Sequence, residues 1–286
     1  MLRVKQCHTA FCHLLLVLSS LLLVSCAFKT VPHTAKGQSI ESLGFNAIPV
    51  HPVFKAYLRV RPSNDAVMAR TLTIYIEGDG ASWLFRTIPP RNPTPDKSLV
   101  VAMAAFDPNQ YVLYLARPCQ FIDLGIVKEC DESLWTDGRF SAQVITLLNQ
   151  GIDEVLRLMP PLRLHLVGHS GGGTIATLIA AQRSDVNCLV TLASPLDITA
   201  WARALSIAPL TRSQNPAKPN ANLQQIRQTH FLGENDRIVT KESIGEYRNF
   251  PRDAQWMTIS GFDHQRYWAD QWPLLQTKSC LHQPRG

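Results

Sequence analysis

Three residue types that can together break an acyl bond occur in this chain in the order Ser170, Asp236 and His264. A serine hydroxyl is a weak nucleophile, so it needs a base that takes its proton and later returns it. Histidine suits that role, and a carboxylate bonded to the imidazole fixes its tautomer and stabilises its charged form. The three residues are far apart in the chain, so they can act together only if the fold places them side by side.

Ser170 lies in the pattern G-x-S-x-G, formed by Gly168-His-Ser-Gly-Gly172. The preceding residues 162–166 alternate between leucine and polar residues, which predicts a strand, and the apolar run 175–181 predicts a buried helix. A serine between a strand and a helix is the context in which this pattern forms a nucleophile elbow. Glycines without Cβ atoms let the strand and the helix approach closely. A glycine-rich turn with an incidental serine is the alternative interpretation.

Two backbone segments are candidates for binding a developing oxyanion. The N–H of Gly171 is expected at the N-terminus of the predicted helix, where the helix dipole favours negative charge. The β-branched strand 71–76 runs into the glycine-rich segment Glu77-Gly-Asp-Gly80, which can bring N–H groups close to a ligand. Two acidic side chains there are unfavourable beside an oxyanion. We therefore expect them to point away or to be neutralised by Arg86 or Arg117.

Other residues compete for the roles of acid and base. The phrase Gly-x-x-Asp-x-x-Val around Asp236 favours this residue over its rivals, which are Asp197, Glu234 and Asp263. His264 follows the last predicted strand in a Gly-Phe-Asp-His loop, whereas its rivals are less well placed. His169 lies inside the serine turn and is expected to point the wrong way, and His230 lies within a strand; His282 is the third rival.

The pattern of strands and helices predicts an α/β fold with a largely parallel sheet and helices on both faces. Apolar runs predict strands at 53–60, 71–76, 111–116, 162–166, 188–193, 229–232 and 255–259. Helical patterns lie at 97–106, 140–158, 175–181, 201–207, 241–250 and 265–275. Ser170, Asp236 and His264 each follow a strand, at the edge where such sheets bind ligands.

The N-terminal segment has the pattern of an export leader. Arg3 and Lys5 precede an apolar stretch at 11–24, which is short for a membrane span. The end, Leu-Val-Ser-Cys26, resembles a bacterial lipobox, so residues 1–25 are expected to be a signal peptide and Cys26 to carry lipid. Ordinary secretion and an uncleaved anchor are the alternatives. Residues 26–50 then form a tether, and 51–286 form one domain.

Four cysteines remain after the leader and Cys26: Cys119, Cys130, Cys188 and Cys280. An even number in an exported chain suggests disulfides, with three possible pairings. Cys119 and Cys130 lie in one predicted loop, so a local bridge between them is the simplest. Cys188 would then pair with Cys280, unless Cys188 is a buried free thiol.

Composition and motifs exclude several classes of function. The chain has 286 residues, of which 45% are hydrophobic and 17% charged, values that suit a large globular domain. Removal of Arg3 and Lys5 with the leader lowers the formal charge from +6 to +4, and no basic block occurs, so nucleic-acid binding is not suggested. No metal-ligand, phosphate-loop or dinucleotide motif is present, so neither a metal nor a cofactor is implied.

In combination, the serine turn, the acid turn and the histidine loop resemble those of the α/β-hydrolase fold, in a secreted lipoprotein form. The resemblance covers roughly 53–276. It implies acyl transfer to water through an acyl-enzyme at Ser170, with the N–H of Asp79 as the second oxyanion donor beside Gly171. Relatives often have histidine at the position of Glu77, which is a departure. The segment 197–228 lies where such enzymes place a cap, and the loop 117–135 is expected to border the substrate.

Two functional hypotheses follow. The first is a serine hydrolase of esterase or lipase type, acting on a small or lipid-like carboxylic ester. The second is a lipid-anchored binding protein that retains the fold without turnover. In both, the lipobox implies attachment to a bacterial envelope membrane. Ala27 after the cysteine favours the outer membrane or its periplasmic face.

Overall fold

The computed structural model describes residues 30–62, 70–81, 88–160 and 162–282. The expected signal peptide at 1–25, the lipidation site Cys26 and Arg86 lie outside the described residues. A helix long and apolar enough to cross a membrane does not occur within these ranges. A cluster of side chains suited to a metal ion is likewise not found there.

A single eight-stranded sheet, mostly parallel, forms the centre of the domain. The strands are β1 (Asn46–Ile48), β2 (Ala56–Val60), β3 (Thr71–Ile76), β4 (Tyr111–Leu115), β5 (Arg163–His169), β6 (Val186–Leu192), β7 (Arg227–Gly233) and β8 (Ala254–Ile259). Their spatial order is β1-β2-β4-β3-β5-β6-β7-β8. Among the described strands, β1 with β2 and β2 with β4 pair antiparallel, and the other neighbouring strands pair parallel. The carboxyl ends of β3 to β8 therefore meet at one edge of the sheet.

Helices cover both faces of this sheet, as the sequence predicts. They are α1 (Leu99–Phe106), α2 (Ala142–Leu156), α3 (Gly171–Ala180), α4 (Ile198–Ala204), α5 (Ala221–Gln225) and α6 (Trp268–Thr277). Side chains of successive residues in β3 point to opposite faces of the sheet, so this strand contributes to the core layers on both faces. Leu72 and Ile74 pack in the core with α2 and α3, whereas Tyr75 packs in the core with α1 and α6.

The segment expected to be a tether is partly folded into the domain. Asn46–Ile48 forms β1 and pairs with β2, and Ile40 and Phe45 are buried in the core layer of α1 and α6. The prediction of a tether through residue 50 is wrong for this part. The abundance of polar residues at 29–39 concealed an apolar pair, and burial of that pair holds the segment against the sheet.

Two predicted helices differ in form from the expectation. Lys241–Asn249 is 3₁₀-helical and kinked at Gly245, where φ is +40° and a Cβ would lie 2.3 Å from Asp197 Oδ2. The last helix begins at Trp268 because the preceding residues form a turn. In that turn the Asp263 carboxylate accepts the N–H groups of Gln265 and Arg266.

Two disulfides join the four cysteines in the expected pairs. Cys119 is bonded to Cys130, and this bridge closes a short stretch of the long loop between β4 and α2. Cys188 on β6 is bonded to Cys280, which follows α6. The second bridge therefore fastens the C-terminal segment to the middle of the sheet.

Candidate active site

The turn at Ser170 has the geometry of a nucleophile elbow. Ser170 adopts φ +53° and ψ −129°, a strained conformation for a residue with a side chain. Its N–H donates to Leu192 O on β6 at 2.8 Å. A Cβ on Gly168 would lie 2.3 Å from the carbonyl carbon of Gly172, so β5 and α3 can meet only without one. The predicted strand, turn and helix are all observed.

Ser170, His264 and Asp236 form one chain of hydrogen bonds. The Oγ of Ser170 lies 3.0 Å from Nε2 of His264. The opposite ring nitrogen, Nδ1, lies 2.9 Å from Oδ2 of Asp236. The His264 side chain is 17% exposed and that of Asp236 is fully buried. A ligand can therefore reach Ser170 and His264, whereas the Asp236 carboxylate stays in the interior.

The local turn after β7 fixes the orientation of Asp236. Its Oδ1 accepts the N–H groups of Ile238 and Val239, each at 2.8 Å, which leaves Oδ2 to face His264. The competing carboxylate of Asp197 accepts the N–H of Thr199 and Ala200 and therefore caps α4 instead. Asp236, the acid that the sequence favoured, therefore lies against His264, whereas its rival Asp197 has a structural role.

The rival histidines have other environments. His230 is buried in β7 between Thr191 and Gln228, and burial lowers its pKa to about 3. His282 is exposed near the C-terminus. His169 lies beside the site but points past the serine, since its Nε2 donates to the carbonyl oxygen of His264 at 2.7 Å.

Glu77 points away from the serine, into the protein interior. Its carboxylate accepts the N–H of Gly78 at 2.9 Å, the hydroxyl of Tyr114 at 2.7 Å and the hydroxyl of Ser98. Burial raises the pKa of Glu77, and the three donors oppose that rise. The hydrogen bond from Gly78 removes this residue from the candidate oxyanion donors, while Asp79 remains one.

Asp79 is neutralised by two arginines, of which the sequence indicated one. Oδ1 pairs with Arg117 at 2.8 Å and Oδ2 pairs with Arg139 at 3.2 Å. Arg86, the other partner considered, lies outside the described residues. No local pattern identified Arg139, because it precedes α2 in sequence and reaches Asp79 only through the fold. Gly171 lies directly under this carboxylate, and a Cβ there would be 2.0 Å from Asp79 Oδ1.

The two long loops around the site are packed down onto the domain. Trp201, in the insertion 197–228, is 7% exposed and donates from Nε1 to Ile238 O at 2.8 Å, beside the acid turn. Trp135, at the end of the loop 117–135, donates from Nε1 to Pro90 O at 3.1 Å. These contacts show Trp201 packing the insertion onto the domain.

The sheet order, the elbow and the positions of acid and histidine define the class: the chain has the α/β-hydrolase fold. The model of the PGAP1-like alpha/beta domain matches residues 129–266, which hold all three residues of the hydrogen-bonded chain. No curated protein matches the sequence.

Solved structures resemble the chain over most of its length at low identity. One is an α/β serine hydrolase without a lid from Xanthomonas campestris, with 15% identity, a TM-score of 0.53 and coverage of 84% of this chain and 97% of the other. An esterase from Pyrococcus furiosus has 11% identity, a TM-score of 0.53 and coverage of 88% and 98%. A puromycin-hydrolysing peptidase from Mycobacterium tuberculosis has 12% identity, a TM-score of 0.54 and coverage of 85% and 40%.

Proposed function

We propose that the protein is a serine hydrolase that cleaves carboxylic esters through an acyl-enzyme. The observation that carries this proposal is the unbroken chain from Ser170 Oγ through the His264 ring to Asp236, with 3.0 and 2.9 Å between the bonded atoms. Such a chain supplies a nucleophile, its base and the group that orients the base. The strained backbone at Ser170 and the oxyanion candidates beside it support the same reaction.

The reaction proceeds in two halves. Ser170 Oγ attacks the ester carbonyl carbon while its proton passes to Nε2 of His264. The resulting oxyanion accepts hydrogen bonds from the N–H groups of Gly171 and Asp79. The intermediate collapses, the carbon–oxygen bond to the alcohol breaks, and the alcohol leaves with the proton from His264. Water then attacks the acyl carbon while His264 takes its proton. The second tetrahedral intermediate collapses, the bond between the acyl carbon and Ser170 Oγ breaks, and Oγ regains its proton from His264 as the acid leaves.

An ester is the proposed substrate class because the Pyrococcus furiosus neighbour is an esterase. The same fold carries a peptidase in the Mycobacterium tuberculosis neighbour, so the fold alone does not select between ester and amide. The substrate panel therefore contains p-nitrophenyl esters of rising chain length and the matching anilides. We expect turnover of the esters to exceed that of the anilides.

A fluorophosphonate probe followed by mass mapping tests the nucleophile. Label is expected on Ser170, and Ser170→Ala is expected to abolish both labelling and ester turnover. Ser260→Ala, which removes an exposed hydroxyl bonded to Glu234, is the matched control and should leave both intact. An unlabelled Ser170, together with unchanged hydrolysis in Ser170→Ala, would contradict the proposal. A parent that neither takes up label nor hydrolyses any ester would favour the binding-protein alternative.

We also propose that lipid on Cys26 anchors the enzyme to a bacterial envelope membrane, and the support for this is the lipobox-like end of the leader. Metabolic labelling with a palmitate analogue is expected to mark the full chain and not Cys26→Ser. Membrane fractionation should then find the variant in the soluble fraction. A variant that keeps both its label and its membrane association would overturn this assignment.

A further inference from the structure

We infer that Arg117 and Arg139 are positioning residues that act through Asp79. Together, the three side chains hold the proposed oxyanion loop, residues 77–80, in place and neutralise the Asp79 carboxylate. This inference rests on the proposed function, since it needs the N–H of Asp79 as an oxyanion donor. None of the three side chains takes part in the hydrogen bonds between Ser170, His264 and Asp236, so their contacts are independent observations.

The first observation is the location of the carboxylate. Asp79 Oδ1 lies so close to Gly171 that a Cβ on this glycine would be 2.0 Å away. Gly171 directly follows the nucleophile and begins α3. The Asp79 side chain is thus next to the point where the proposed oxyanion forms. A carboxylate without a partner there would repel that oxyanion.

The second observation is the balance of charge. Two guanidinium groups pair with one carboxylate, so these three side chains carry a formal charge of +1, which the neighbouring carboxyl of Glu77 partly offsets at Arg117. The side chains of Arg117 and Arg139 are only 4% and 2% exposed, and burial weakens the screening of their charges by water. Burial lowers the pKa of Arg117, and Asp79 opposes that shift. The two guanidinium charges therefore offset the repulsion that the Asp79 carboxylate would exert on the oxyanion, and the ion pairs fix the orientation of Asp79.

The third observation is that the two arginines contact each other and the same aromatic rings. Nη2 of Arg117 donates to the carbonyl oxygen of Arg139 at 2.5 Å, so the two are fastened to each other. Both guanidinium groups lie over the ring of Phe140, and that of Arg139 also lies 5.7 Å from the ring of Trp201. Such packing limits the freedom of both side chains, which lets them fix Asp79 in one place.

The fourth observation concerns the backbone on either side of Asp79. Gln120 donates from Nε2 to Gly78 O at 3.0 Å, and Gly80, at φ +63°, lies against Pro93 O. Gln120, in the loop after β4, therefore holds the peptide bond between Gly78 and Asp79. Arg117, in the same loop, and Arg139, further along it, hold the Asp79 side chain. The direction of the Asp79 N–H depends on both attachments.

Two substitutions test the inference. Asp79→Asn keeps the shape of the side chain and removes its charge, and Arg139→Met removes one partner. For each we expect kcat to fall on the order of 10- to 100-fold with KM nearly unchanged, since loss of a whole oxyanion donor costs about 100- to 1000-fold. Arg139→Lys keeps the charge but loses the stacking on Phe140 and Trp201, so its loss of kcat should be smaller than that of Arg139→Met.

A trifluoromethyl ketone distinguishes an effect on the oxyanion from a general loss of structure. It forms a hemiketal with Ser170 whose oxyanion occupies the same position as that of the reaction, so its Ki should rise by the factor by which kcat/KM falls. Arg212→Gln is the matched control, because it breaks the exposed pair with Asp137 two residues from Arg139. That variant should keep kcat, Ki and melting temperature.

The outcomes separate this inference from the proposed function. If the parent hydrolyses esters and Asp79→Asn or Arg139→Met keeps its kcat, the inference is wrong and the function stands. Equal losses in Arg139→Lys and Arg139→Met would also overturn it, because charge would not be the cause. A kcat loss that comes with a lower melting temperature and no change in Ki assigns the cluster a structural role only. A parent that neither labels nor hydrolyses contradicts both proposals.

Discussion

At Ser170 the conformation of the backbone places the side-chain hydroxyl within reach of His264. A positive φ at a residue other than glycine costs free energy, and here the surrounding glycines and the hydrogen bond to Leu192 O maintain it. The hydroxyl is thereby placed at the edge of the sheet, where His264 reaches it. The serine alone would be an ordinary surface side chain; its position relative to the histidine makes the proposed chemistry feasible.

His169, which precedes this serine, is expected to position His264. Burial, and then the charge of His264, lower the pKa of His169 to about 3, so its ring is neutral at pH 7 and Nε2–H donates to His264 O. His169→Leu removes the donor and should lower kcat by about 10- to 100-fold, since small displacements of reacting groups have effects of this size. Steady-state kinetics on a p-nitrophenyl ester measures kcat and KM separately.

Rescue by a second variant at the same position distinguishes positioning from packing. The amide of His169→Gln can donate near the position of Nε2, so this variant should recover most of kcat. KM should change little in either variant, because the interaction is with the histidine loop and not with substrate. If Leu and Gln variants have equal kcat, the hydrogen bond to His264 O has no positioning role.

The contrast between Asp236 and Arg139 shows which site residues a sequence can indicate. Asp236 follows a predicted strand in a recognisable turn, and two local backbone N–H groups orient it, so short-range information was sufficient. Arg139 reaches Asp79 across 60 residues of sequence, and its role depends on how the loop before α2 folds back. A single sequence carries no local signal for such a long-range ion pair.

At the scale of elements, the edge formed by the carboxyl ends of β3, β5, β7 and β8 gathers the whole site. The parallel register places Ile76, the end of β3, beside Gly168 on β5, so the proposed oxyanion loop and the elbow are neighbours. Hydrophobic periodicity was sufficient to predict these strands. It missed β1, because the strand is short and only partly buried and therefore lacks an apolar pattern.

The two disulfides are expected to affect different properties. Replacing Cys119 and Cys130 with serine should lower the free energy of unfolding by about 3 kcal/mol in the loop-entropy model. It should also lower kcat, because Arg117 and Gln120, which hold the oxyanion loop, lie at or beside the bridged loop. Urea unfolding and steady-state kinetics on the same protein sample measure both effects.

The Cys188–Cys280 bridge provides the internal control. It spans 92 residues, so its loss should cost about 5 kcal/mol in the same model. It lies well before the carboxyl end of β6 and away from Ser170, so kcat of the folded fraction should stay at the parent value. If replacing Cys188 and Cys280 with serine lowered kcat more than replacing Cys119 and Cys130, the proposed difference between the two bridges would be contradicted.

At the scale of the whole molecule, the packing of both faces of the sheet buries several titratable groups. His165 and His230 lie on strands of the sheet, and His169 ends one. Glu77 and Asp107 are buried carboxyls whose pKa values burial raises. Burial favours the neutral form of the histidines and also the neutral form of the two carboxyls. As the pH falls, the histidines therefore lower the free energy of unfolding, whereas the carboxyls raise it.

The histidines predict a loss of stability in acid. Burial lowers the pKa of His165 to about 4 and those of His169 and His230 to about 3, whereas an unfolded histidine titrates near pH 6.5. Below about pH 6.5 the unfolded chain therefore binds more protons, so the free energy of unfolding falls as the pH falls toward these folded values. Each histidine contributes up to about 1.4 kcal/mol per pH unit, and protonation of Glu77 and Asp107 offsets part of this loss.

A single substitution tests this balance. His165 is the histidine to replace, because its Nδ1 has no hydrogen-bond partner among the described residues, and an apolar side chain therefore leaves fewer polar groups unsatisfied. In His165→Leu, the difference between the free energies of unfolding at pH 7 and pH 5 should shrink by about 2 kcal/mol, because one proton no longer binds on unfolding. Urea titrations at the two pH values measure that difference. An unchanged difference in the variant would show that His165 is not a source of the acid sensitivity.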